Sequence, residues 1–111
     1  MAQFMLLLHE NPADFFANVS AEDIQAIIKE YGDWRIQVAA VGHKLKDEGG
    51  RHLQLHNDQL RVVDGPYAEA KEVMGGYFIV SAANYDEAVK VAQSCPHLKY
   101  GGRIELREIE E

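Results

Sequence analysis

At 111 residues, 47% hydrophobic and 26% charged, the chain is sized for one soluble globular domain, residues 1–111, with a real but modest core. Its net charge of −7 argues against a nucleic-acid backbone as the main partner; a local basic cleft would have to come from Arg51, Arg61, Lys71, Lys99 and Arg103. The longest apolar run, FMLLL (Phe4 to Leu8), is too short to span a membrane, and with no basic residue before it and HENP after it, it does not read as a signal peptide.

In chain order, QFMLLLHE is apolar on both faces and predicts a central strand. NPADFFANVS predicts a loop with room for one helical turn. Ser20 followed by Asp23 marks a helix start, and Glu22 adds charge where the helix dipole favours it. From there Ile24, Ile27, Ile28, Tyr31, Trp34, Val38, Val41 and Leu45 fall at steps of three and four. They predict one long helix, stopped by the glycines of KDEGG and weakened by roughly 1 kcal/mol at each of Gly32 and Gly42.

RHLQLHNDQLRVVDG alternates polar and apolar residues on either side of Asn57-Asp58 and predicts a hairpin or bent strand pair. GGYFIVSA predicts another strand, with Tyr77 and Ile79 on one face and Phe78 and Val80 on the other. Asn84 caps a second helix, YDEAVKVAQSC, which Pro96 ends, and RIELREI predicts the last strand. The single cysteine, Cys95, excludes an intrachain disulfide, reads as a small buried hydrophobe, and leaves a cytoplasmic location as the expectation.

The order β-α-β-(β)-β-α-β predicts an α+β, ferredoxin-like domain with two helices on one face of an antiparallel sheet. An apolar uncovered face would be buried by a second copy, so a homodimer through the open sheet face is expected.

Chemistry concentrates in DGPYAEAKEVMGGYFIV. Asp64 can accept hydrogen bonds from amides beyond it, Gly65 tolerates unusual dihedrals, and Pro66 fixes the turn. A turn alone accounts for those three residues, but not for Glu69, Lys71 and Glu72, nor for Gly75-Gly76, which would let a backbone or ligand come close. Lys71 is a candidate anchor for an anion, or a solvated ion pair with its flanking glutamates. His9, ending the first strand, is the candidate general base, and Asp64 could orient it if the two strand ends meet. His52 and His56 share a strand face but stand about 13 Å apart, so they cannot hold one metal, and no structural zinc is expected. There is no phosphate loop, dinucleotide fingerprint or serine elbow, so no cofactor is expected. Tyr31, Trp34 and Tyr77 read as core or barrel lining.

FMLLLH, VVDGPYAEAKEVMGGYFIV, DEAVKVAQSCP and GGRIELREI together resemble the YCII-related family, in its DGPF-domain branch, over essentially the whole chain. Tyr67 stands where that branch has Phe. The resemblance implies a ferredoxin-like subunit pairing into a dimeric α/β barrel, often encoded beside or fused to alternative sigma factors, with activity largely unassigned. Better-studied members carry a His-Asp pair in a cleft with the His on the first helix; at the corresponding place, counted back from DEG, this sequence has Val38.

Residues and resemblance together give the expectation of an enzyme or binding protein for a small polar or aromatic molecule. His9 and Asp64 would do acid-base work, with Gly65, Pro66, Tyr67 and Lys71 forming the wall. The rival is a non-catalytic dimeric module that senses a ligand or docks on a transcription factor.

Overall fold

Strand β1 (Ala2–Glu10) runs through the middle of a four-stranded antiparallel sheet of order β2-β5-β1-β6, with β2 Val41–Lys44, β5 Val73–Ala82 and β6 Arg103–Glu108. The computed structural model describes residues 1–15, 19–46, 49–65 and 72–111. Register pairs Leu6 with Phe78 on one side and with Leu106 on the other. The even-numbered residues Phe4, Leu6 and Leu8 of β1 and Phe78, Val80 and Ala82 of β5 therefore share one buried face.

Helices α1 (Ala21–Gln37) and α2 (Tyr85–Gln93) cover that face, contributing Trp34, Ala88 and Ala92 to the same core. Trp34 packs edge-on against Phe78 and its indole N–H donates to Ser94 Oγ at 2.8 Å, joining the two helices over the sheet. The result is an α+β domain whose antiparallel sheet and one-sided helices are consistent with a ferredoxin-like fold. Both starts follow from capping chemistry: Ser20 Oγ accepts from the Asp23 amide, and Asn84 Oδ1 accepts from the Glu87 amide. The loop after β1 makes one turn, in which the Phe15 amide donates to the Asn11 carbonyl.

The long first helix is a correction. It ends at Gln37, Ala39 takes a left-handed φ of 56°, and Val41–Lys44 becomes edge strand β2, paired with β5 from Val41↔Ile79 to Lys44↔Gly76. Gly42 thus belongs to a strand, where a Cβ would fall on the Tyr77 carbonyl and the Phe78 ring. The second strand of the sheet is this edge, and the expected hairpin stands apart as a separate two-stranded sheet, β3 (Arg51–His56) with β4 (Gln59–Asp64). Its turn is as expected, with Asn57 and Asp58 both at positive φ, 51° and 64°. Pro96 does not close α2, which ends at Gln93; it opens a short helix α3 (Pro96–Lys99) as its first residue.

The opposite sheet face carries Met5, Leu7, Tyr77 and Ile79, half-buried, and the exposed Val41. Among the described residues no helix is long and apolar enough to cross a membrane.

Candidate functional site

The apolar stripe of α1 does not close on the sheet along its whole length. Its C-terminal part, through Trp34, enters the core, while Ile24, Ile27, Ile28 and Tyr31 stand over a cavity of about 270 Å³. The floor comes from Leu8 and Glu10 at the end of β1 and from Gly75, Gly76 and Phe78 of β5, while β2 adds His43 and Lys44, and α3 adds His97. The wall is mostly aliphatic and aromatic, with a few polar groups converging on it. This is the usual composition of a small-molecule site.

His97 is the best placed of those groups, being 2% exposed. Its Nε2–H donates to the His9 carbonyl at 2.8 Å, and its Nδ1 lies 3.2 Å from the Tyr31 hydroxyl. The Phe15 ring packs against the imidazole, with centroids 5.0 Å apart. Burial disfavours the charged form and pulls the His97 pKa below the usual histidine range, so the ring is neutral at pH 7. Burial likewise pushes the Tyr31 phenol well above its ordinary value, aided by nearby negative charge that includes Glu10. Cys95, just before α3, is buried and its thiol is pushed up to about 11, which leaves it no thiolate character.

Two glycines make room for this arrangement. At Gly75 a Cβ would strike the Glu10 carboxylate, and at Gly102 it would strike the His97 ring. The first lies where the β1–β5 register slips, between Leu8 and His9, a bulge that re-aims the end of β1. The Gly-Gly pair of the middle motif therefore admits a side chain, Glu10, and at Gly76 the backbone of β2 around His43.

The residues singled out from sequence are distributed differently. Among the described residues His9 joins the cavity network through its carbonyl, and its ring Nε2 stands 3.2 Å from Glu105 Oε1. Asp64 ends β4 in the separate hairpin, largely exposed, with an oxygen 3.3 Å from Arg51 Nε. No hydrogen bond or ion pair joins His9 to Asp64 among the described residues. The Gly65 amide donates to the Gly50 carbonyl at the base of the hairpin. Pro66, Tyr67 and Lys71 lie outside the described residues. Of the cations proposed for a basic cleft, Arg51 meets Asp64, Lys99 meets Glu30, and Arg103 grips Glu72 with its nearest contact at 2.9 Å. Val38 caps the C-terminus of α1 and packs against the core.

Sequence reasoning missed Glu10 and His97; Tyr31, read as core or barrel lining, does pack against the core and lines the cavity as well. The available signal was faint. It lay in the histidine that follows Cys95-Pro96 and in Gly102 five residues later, which leaves the space that ring fills.

A family model of the YCII-related domain matches residues 2–111. A search of curated proteins gives no match.

Proposed function

The chain belongs to the YCII-related family, and we propose that it binds, and acts by acid-base chemistry on, a small and largely apolar molecule held in the cavity between α1 and the sheet. One observation carries this reading. In a wall rich in aliphatic side chains, a neutral buried histidine meets a tyrosine hydroxyl, and the Glu10 carboxylate that lines the same cavity acts electrostatically on that tyrosine. Glu10 is the candidate proton acceptor, Tyr31 the polar contact, and His97 positions Tyr31. With no phosphate loop or dinucleotide fingerprint in the sequence, the reaction is proposed to run on these side chains without a resident cofactor.

The working form is proposed to be a homodimer through the open sheet face, where Met5, Leu7 and Ile79 are only half-covered. Such an interface would bury roughly 2,000 Å² or more in total, and light scattering showing a stable monomer at micromolar concentration would remove it. A second reading, a non-catalytic docking module linked to transcription, draws on the exposed apolar face of the β3–β4 hairpin.

Gly32→Leu tests the site. Gly32 lines the cavity from inside α1, and a Cβ there meets nothing within 4 Å. Leucine would raise helix propensity by up to about 1 kcal/mol while filling the cavity. Melting temperature should hold or rise as the stabilisation by small aromatic probes disappears. If those probes shift the melting temperature of both forms equally, the ligand site is elsewhere.

A further inference from the structure

We propose that the Tyr31–His97 end of this cavity selects for a hydrogen-bond donor on the ligand, because the two side chains are locked so that they offer it only an acceptor. The proposal rests on the cavity being the ligand site.

The lock follows from proton counting. A carbonyl can only accept, so the 2.8 Å contact to the His9 carbonyl places a hydrogen on His97 Nε2. The ring is buried, and no carboxylate hydrogen-bonds to it among the described residues; its other nitrogen faces the Tyr31 hydroxyl at 3.2 Å. A neutral imidazole with its hydrogen on Nε2 has a lone pair at Nδ1, and among the described residues the tyrosine is the one partner that fills it. Tyr31 therefore gives its single proton to His97, and its oxygen retains lone pairs alone. The Tyr31 side chain makes no other hydrogen bond among the described residues. Glu10, when ionised, is an acceptor as well, while Arg35 and Lys44, also in the lining, are donors, so the selection proposed is that of the Tyr31–His97 end.

Size completes the class. A dry cavity of about 150 Å³ holds benzene, and the volume here is about 270 Å³. That is room for a fused bicycle or a substituted ring. The expected ligand is a compact aromatic with an N–H or O–H, in preference to an ether or ester of the same shape. A donor-less isostere would leave the Tyr31 oxygen facing an apolar atom, a loss of roughly tenfold or more in affinity.

Indole and benzofuran, which differ in N–H against O, provide the test. Both are titrated against the full-length protein by calorimetry, with NMR shifts of cavity residues locating the binding. Indole should bind at least about tenfold more tightly, and Tyr31→Phe should bring the ratio near one. Independently, the ¹⁵N shifts of the His97 ring should report a neutral imidazole protonated at Nε2. Equal affinities, a ratio that survives Tyr31→Phe, or a ring protonated at Nδ1 would each overturn the inference while leaving the cavity reading in place. Binding of neither probe at millimolar concentration would overturn both.

Discussion

The four-stranded sheet and the β3–β4 hairpin are built from the same kind of alternating strand, yet they end in opposite environments. In the sheet, Phe4 and Leu6 are completely buried beneath α1 and α2. In the hairpin, Leu53, Leu55, Leu60 and Val62 line up across the strands, Leu53 opposite Val62 and Leu55 opposite Leu60, and each is more than half exposed. The difference is the covering layer. Alternation and a good turn set a hairpin's register, but only a helix layer or another chain can take its apolar face out of water. The outline agrees: the radius of gyration is 16.0 Å in a molecule 18 Å across its thinnest dimension, against about 13 Å for a compact domain of this length.

The largest effect that could break this comparison comes from truncating one leucine in each region. Leu6→Ala should cost about 2–5 kcal/mol in urea unfolding, since it removes transfer energy and leaves a void. Leu55→Ala should change stability by no more than about 0.5 kcal/mol. A large loss at Leu55 would mean that the hairpin is covered in the working assembly, and would favour the docking reading.

Next comes the packing that holds the cavity's histidine. Gly102→Ala places a methyl group on the His97 ring, and overpacking of this kind should cost about 1–3 kcal/mol and shift the His97 ring signals. If the variant is as stable as the parent and those signals stay put, the ring is not held as tightly as its buried position implies.

What was legible in the sequence divides along the same line. The helix starts at Ser20 and Asn84 and the turn at Asn57-Asp58 depend on groups within three residues of one another, so their chemistry shows in the local sequence. Strand β2 was not legible, because Val38, Val41 and Leu45 continue the helical period of α1 and the nearest glycine, Gly42, falls past the break rather than at it. The break falls at Ala39, and what makes Val41–Lys44 a strand is a partner, Gly76 to Ile79, more than thirty residues away. The cavity was illegible for a related reason. A stripe of Ile24, Ile27, Ile28 and Tyr31 has the same periodicity whether it lies on packed side chains or over open space. His97 and His9 meet across the fold through a backbone carbonyl, which leaves no trace in residue type.

A pH series sharpens the comparison through the buried His97. The folded-state pKa of His97 is depressed by burial, so its contribution to stability is fully present above the unfolded value of about 6.5 and is lost as pH falls from there towards the folded pKa. One such proton changes stability by at most about 1.4 kcal/mol per pH unit. Wild type should therefore lose melting temperature between pH 6.5 and 5 more steeply than His97→Gln. Parallel curves for wild type and His97→Gln would show that His97 already titrates normally in the folded protein.

The smallest effect is expected at Asp64, the acid that sequence reasoning paired with His9. Its side chain is 88% exposed at the end of β4, and its 3.3 Å contact to Arg51 is a surface ion pair of the kind that contributes little. Asparagine keeps the size and a hydrogen-bond acceptor, so any turn the side chain supports survives, while the negative charge is lost. If Asp64 serves only the hairpin, Asp64→Asn should leave the melting temperature within about a degree or two, and affinity for a cavity probe within about twofold, because a 1 kcal/mol change moves the midpoint by about 4–8 °C in a domain of this size. If instead its charge reaches the ligand, affinity or turnover should fall tenfold, about 1.4 kcal/mol, with no loss of stability. Asp64→Ala is less informative, since it removes the acceptor together with the charge. Unchanged binding in the asparagine variant, beside a lost indole preference in Tyr31→Phe, would place the chemistry in the cavity under α1 and leave Asp64 to the architecture of the hairpin.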